Sequence, residues 1–112
     1  MLYMNDFLNE LDWNKDKLME VIGQLENKEE YMKPLKEYLP SLNQITKNIF
    51  ELVNDPNVLL ELNTQFYMQV LNDIVNGMEN QDTVILLDTL KYGLLEIYLY
   101  IENELRGREV YE

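Results

Sequence analysis

The sequence contains no cysteine and no histidine. The first absence removes disulfides and thiolate chemistry and is compatible with a cytoplasmic location. The second removes the commonest general base, the commonest transition-metal ligand and the usual pH switch. Glycine and proline are scarce, four and three in 112 residues, and so few breakers favour long helices over strands and turns. The single serine, Ser41, follows Pro40 and sits in no nucleophile elbow; no phosphate-cradling glycine loop or dinucleotide fingerprint is present. Basic residues are few, nine against 21 acidic ones, for a formal net charge of −12. That charge repels phosphate, so neither nucleic acid nor an anionic membrane is an expected partner, whereas a basic protein surface would be attracted. Charge of this size also favours solubility on its own account. The first residues, Met1 to Phe7, lack the basic-then-apolar order of a signal peptide. The most apolar stretch, Val84 to Ile101, is interrupted by Asp88, Lys91 and Glu96 and makes a poor membrane span.

What is present is apolar periodicity at helical spacing, in a chain that is 46% hydrophobic and long enough for one domain over 1–112. Four segments carry it. In the first, Met4, Leu8, Leu11, Leu18, Ile22 and Leu25 keep one face, with Lys15 at the position expected to be apolar. Asp12-Trp13-Asn14 can belong to that helix or begin a new one capped by Asn14. In the second, Tyr31, Leu35, Tyr38, Leu42, Ile45, Ile49 and Leu52 alternate steps of four and three, a coiled-coil-like seam. Pro34 suits a first helical position, and Pro40 inside an unbroken phase predicts a kink and not a stop. Asp55 and Pro56 are expected to cap and open the third helix, which would bury Leu59, Leu62, Phe66, Val70, Leu71, Ile74 and Met78. Asn76-Gly77 and Asn80-Gln81 weaken its end, and Asp82 caps the fourth.

The fourth segment is apolar nearly all round. Leu86, Leu90, Leu94, Ile97, Ile101 and Leu105 form one stripe, widened by Leu87 and Tyr98. Ile85, Tyr92, Leu95, Leu99 and Tyr100 extend it, leaving a polar strip near Thr89 and Glu96. Such a helix lies centrally or contributes to a second interface. Arg106-Gly107-Arg108 suits its end, and the last residues are expected to fray. Short connections make consecutive helices antiparallel, so the expected fold is all-α: an antiparallel up-down four-helix bundle with a kinked second helix.

The chemistry-bearing constellations are thin. Asp12, Asn14 and Asp16 reproduce the opening of a calcium loop, but Lys17 stands where the turn needs glycine and Gly23 where a bidentate glutamate must close the shell. Carboxylate pairs such as Asp6/Glu10 and Asp12/Asp16 share helix faces and read as solvated. A di-iron bundle needs histidines that the chain lacks. No metal, cofactor or enzymatic activity is expected.

The residues singled out for interaction are Trp13, Ile85, Asp88, Tyr92, Leu95, Leu99 and Tyr100. Trp13 lies off its apolar stripe and either faces solvent, as binding hot spots do, or tucks against the bundle end. Asp88 is a rim residue, a partner of the Tyr92 hydroxyl, or a polar fixture that sets register in an interface. Six methionines offer adaptable packing.

The stretch 80–92, Asn-Gln-Asp-Thr-Val-Ile-Leu-Leu-Asp-Thr-Leu-Lys-Tyr, and the upstream stretch 66–74 resemble small, acidic, largely uncharacterised helical proteins of Gram-positive bacteria. The resemblance implies a helical fold. The functional expectation is a non-enzymatic interaction module, adaptor or chaperone-like, holding a helical or basic partner segment in a groove beside the fourth helix. The alternatives are a homodimer or higher homo-oligomer built on that helix, and an acidic mimic of nucleic acid that occupies a basic cleft.

Overall fold

A computed structural model describes residues 4–109, the last two by their backbone alone. Within these residues the chain is all-helical, without a strand. Helix α1 spans Met4–Glu26 and α2 spans Met32–Val53. Helix α3 spans Thr64–Glu79. The fourth segment is one continuous rod in three parts: α4 (Thr83–Asp88), a π-helical stretch (Thr89–Leu94) and α5 (Leu95–Glu109). No helix among the described residues is long and apolar enough to cross a membrane. The expected fraying concerns 110–112, outside the described residues.

Helix α1 runs unbroken through Asp12-Trp13-Asn14. Asn14 caps nothing: its Nδ2 donates to the carbonyl of Glu10, one turn back, at 2.8 Å. Lys15, the polar intruder on the apolar face, is taken up by Glu102 of α5 at 2.7 Å. Both side chains are largely buried, which makes this a stronger pair than an open surface contact.

Helix α2 starts at Met32, two residues before Pro34, so Pro34 takes the third helical position and not the first. Its missing N–H costs nothing there, because the first turn has no internal acceptors. Pro40 lies inside the helix without ending it.

The third segment departs from expectation. Asp55 caps a turn, accepting from the Asn57 N–H at 2.9 Å, and the helix begins eight residues after Pro56, with Asn63 as its cap accepting from Phe66 N–H. Leu59 and Phe66 are exposed, while Leu60 and Tyr67 are buried. Val70 and Ile74 are buried as expected, and Leu62, Leu71 and Met78 pack partly buried against the core; Tyr67 takes the place expected of Phe66, and Gly77 joins the buried face. Two contacts select it. The Tyr67 hydroxyl lies 2.8 Å from Thr46 Oγ1, and its ring meets Phe50 edge-on. A Cβ on Gly77 would stand 2.8 Å from Leu86 Cγ, so only glycine lets α3 come this close to α4.

Helices α1 and α3 each end with a residue in left-handed conformation, Lys28 at φ 57° and Gln81 at φ 50°. Glu29 N–H bonds to Gln24 C=O and Lys28 N–H to Leu25 C=O; Asp82 N–H bonds to Gly77 C=O and Gln81 N–H to Met78 C=O. These paired bonds are Schellman caps, built here without their usual glycine. Asp82 then caps α4, accepting from Ile85 N–H at 3.1 Å.

The π stretch follows from the spacing of its buried residues. Leu86, Leu90, Leu94 and Tyr98 are all fully buried and four apart. In an α-helix each step of four overshoots a full turn by about 40°, so three steps would carry the stripe about 120° off its face. One wider turn, marked by Leu95 N–H bonding to Leu90 C=O, absorbs the overshoot. The helix runs on past Gly107 to Glu109 rather than ending at Arg106-Gly107.

The fourth segment packs against α1 and α3, and α2 packs against α1. As α1 advances through Asp12, Lys15 and Glu26, its ion-pair partners recede through Arg106, Glu102 and Lys91.

Candidate functional site

The core has a polar lining that the apolar stripes conceal. Tyr38 and Tyr98 bring their hydroxyls within 2.7 Å of each other from α2 and α5. Burial pushes both phenols well above their usual pKa; for Tyr98 the nearby Tyr38, Tyr67 and Glu10 add to it. Tyr67 is pushed up to about 12, again by burial, against the easing effect of its bond to Thr46. These tyrosines stay neutral at any ordinary pH and serve as hydrogen-bonding posts. Closer to the surface, the Glu10 carboxylate takes Asn48 Nδ2 at 2.9 and 3.0 Å. Among the described residues two buried side-chain oxygens, Asn14 Oδ1 and Gln24 Oε1, have no donor.

Trp13 is about half exposed and stands in the seam between α1 and α2. Two clefts open beside it. One, of about 250 Å³, is lined by Trp13, Lys17, Glu20, Pro34, Glu37 and Tyr38 among others. The second, of about 170 Å³, is lined by Glu10, Trp13, Asn14, Ser41 and Gln44. Lys17 Nζ lies 5.8 Å from the centroid of the Trp13 ring, within cation–π range. Of the two placements the sequence left open, the structure adopts the solvent-facing one, on a continuous helix. Asn14, read from the sequence only as a helix cap or a calcium-loop position, is here a buried amide beside that tryptophan.

The other residues singled out from the sequence lie on the fourth segment, and the π stretch sets where each one points. The outermost line is Val84, Asp88, Tyr92, Glu96 and Tyr100, all exposed and four apart. Ile85 turns towards α3, where its Cγ2 is 3.6 Å from a Cβ placed on Gly77. Leu95 is half-buried against the core, and Leu99 is 42% exposed. Asp88 is exposed, so its carboxylate remains hydrated. The hydroxyl of Tyr100 donates to the Glu61 carbonyl at 2.6 Å and ties the α2–α3 connection to α5. Thr89, grouped with the polar strip from sequence, is half-buried; the exposed strip consists of Asp88 and Glu96.

Among the described residues no group of three or more carboxylate, histidine or cysteine side chains is placed to hold a metal ion. No protein-family model, curated protein or solved structure matches the chain.

Proposed function

We propose that this chain is a non-enzymatic protein-interaction module, adaptor- or chaperone-like, that holds a helical or basic partner segment in the cytoplasm. Its four segments form an antiparallel up-down bundle, with α2 kinked at Pro40. The observation that carries the reading is the outer line of the fourth segment. There Val84, Tyr92 and Tyr100 alternate with Asp88 and Glu96, all exposed, on a chain of net charge −12. Apolar and acidic groups alternating one turn apart match an amphipathic helix whose apolar side chains alternate with lysine or arginine. Hydrogen exchange of the chain with a basic amphipathic peptide tests it. Slowed exchange along 84–100 is expected, and exchange unchanged throughout the chain would refute it.

A second reading, self-association, is favoured by Leu99, which remains 42% exposed beside the same line. A two-fold pairing would bring this helix from two copies together. Removing one such leucine from water stabilises by roughly 1.5–3 kcal/mol, so Leu99→Glu dissociates a dimer centred on it. Light scattering over a concentration series at moderate salt decides the matter. A monomeric mass at high micromolar concentration rejects self-association.

A further inference from the structure

We infer that the smaller cleft beside Trp13 is an arginine-binding site for the basic partner segment. The inference rests on the interaction-module reading above but places a specific recognition point on a different face, between α1 and α2.

Three observations converge there. The first is Asn14. It is 1% exposed, its Nδ2 is committed to the Glu10 carbonyl at 2.8 Å, and its Oδ1 is left without a donor. The amide cannot be turned over, because an oxygen would then face the carbonyl oxygen. A buried acceptor without a donor is costly; Oδ1 is closed to solvent, and because Asn14 belongs to the cleft wall, a donor that enters and shifts that wall relieves it. The second is Glu10, which lines the same cleft. Asn48 occupies one direction of approach with two contacts, and a carboxylate has about four lone-pair sites, so capacity remains. The third is Trp13, whose ring already holds an intramolecular cation, Lys17. An aromatic face, a carboxylate and a neutral acceptor around about 170 Å³ suit one planar, cationic, multiply donating group.

Guanidinium fits this set better than ammonium. It stacks flat on an indole while its edge N–H groups reach acceptors in the plane, whereas ammonium is a compact, strongly hydrated point charge. Ser41 and Gln44 complete the wall and leave room for a single side chain rather than a larger ligand. The net charge of −12 draws a basic segment in, and the cleft selects arginine within it.

The chain has one tryptophan, so its fluorescence reports on the two clefts that Trp13 lines, and Glu10, which lines only the smaller, tells them apart. The test uses a helical peptide of about fifteen residues with arginines one turn apart, its citrulline counterpart of equal shape and no charge, and its lysine counterpart. The arginine peptide should change Trp13 emission and bind roughly tenfold more tightly than the lysine peptide. By calorimetry, Trp13→Leu and Glu10→Gln should each remove that preference while circular dichroism stays helical. Arginine and lysine peptides that bind equally, with Trp13 emission unchanged, would overturn the site and leave the basic-partner reading standing. Equal binding of the citrulline peptide, or no binding by any of the three, would overturn both.

Discussion

The hydroxyl oxygens of Tyr38 and Tyr98 lie 2.7 Å apart inside a core built mainly of leucine and isoleucine. Each is the other's partner, and the two come from helices far apart in the chain. Replacing one by phenylalanine leaves the other hydroxyl buried and unpaired, which costs about 1–3 kcal/mol. Replacing both removes the need as well as the bond. Urea unfolding of Tyr38→Phe, Tyr98→Phe and the double variant should therefore give a double-variant loss well below the sum of the singles. Additive losses would show that the two hydroxyls are not coupled.

The same burial sets a pH dependence. Tyr67 titrates at about 12 in the folded chain against 10 for an exposed phenol. Between these values the unfolded chain has lost a proton that the folded chain keeps, so stability falls as pH rises above 10. The slope approaches about 1.4 kcal/mol per pH unit for each such tyrosine, and Tyr38 and Tyr98 act in the same sense. Urea midpoints should hold level from neutral pH to 10 and then drop. A midpoint unchanged at pH 11 would contradict this.

Two glycines inside helices should respond in opposite ways to alanine. A Cβ on Gly77 would stand 2.8 and 2.9 Å from Leu86 side-chain carbons, whereas one on Gly23 meets nothing within 4 Å. Gly77→Ala should destabilise by about 1–3 kcal/mol through overpacking. Gly23→Ala should stabilise by about 0.5–1 kcal/mol through helix propensity. Thermal unfolding of the two variants checks the pair, and a stabilised Gly77→Ala would show that α3 and α4 stand further apart.

The left-handed cap residue Gln81 offers a simple gain. It is exposed, at φ 50°, where a side chain is disfavoured and glycine is not. Gln81→Gly should raise stability by about 0.5–1 kcal/mol. A loss of stability in chemical denaturation would show that the side chain supports the cap.

Much of the helical organisation was legible from sequence because apolar spacing reports a helix face directly. The α2 seam from Leu35 to Leu52 and the fourth stripe from Leu86 to Leu105 are buried as expected. In the third segment Val70 and Ile74 are buried as expected, but Leu59 and Phe66, which fit the period as well as Leu60 and Tyr67 do, are exposed. What separates them is tertiary: the bond from Tyr67 to Thr46 and the close approach at Gly77. The π stretch left a signal in the unbroken steps of four from Leu86 to Tyr98, a spacing that an α-helix does not sustain on one face. At the candidate site, Trp13, Asp88, Tyr92 and Tyr100 are singled out from sequence, whereas Val84 and Glu96, which complete the outer line, are not. The unpartnered Oδ1 of Asn14 could not be named from sequence, because its state depends on the walls that α2 brings to it.

The most direct measurement is calorimetry of the chain with a basic amphipathic helix and with an acidic helix of the same apolar pattern, each at two salt concentrations and several temperatures. An interaction module of this charge predicts saturable binding of the basic peptide alone, weakened by salt, with a negative heat-capacity change from buried apolar surface. Equal binding of both peptides, or heats without saturation for either, would contradict the account.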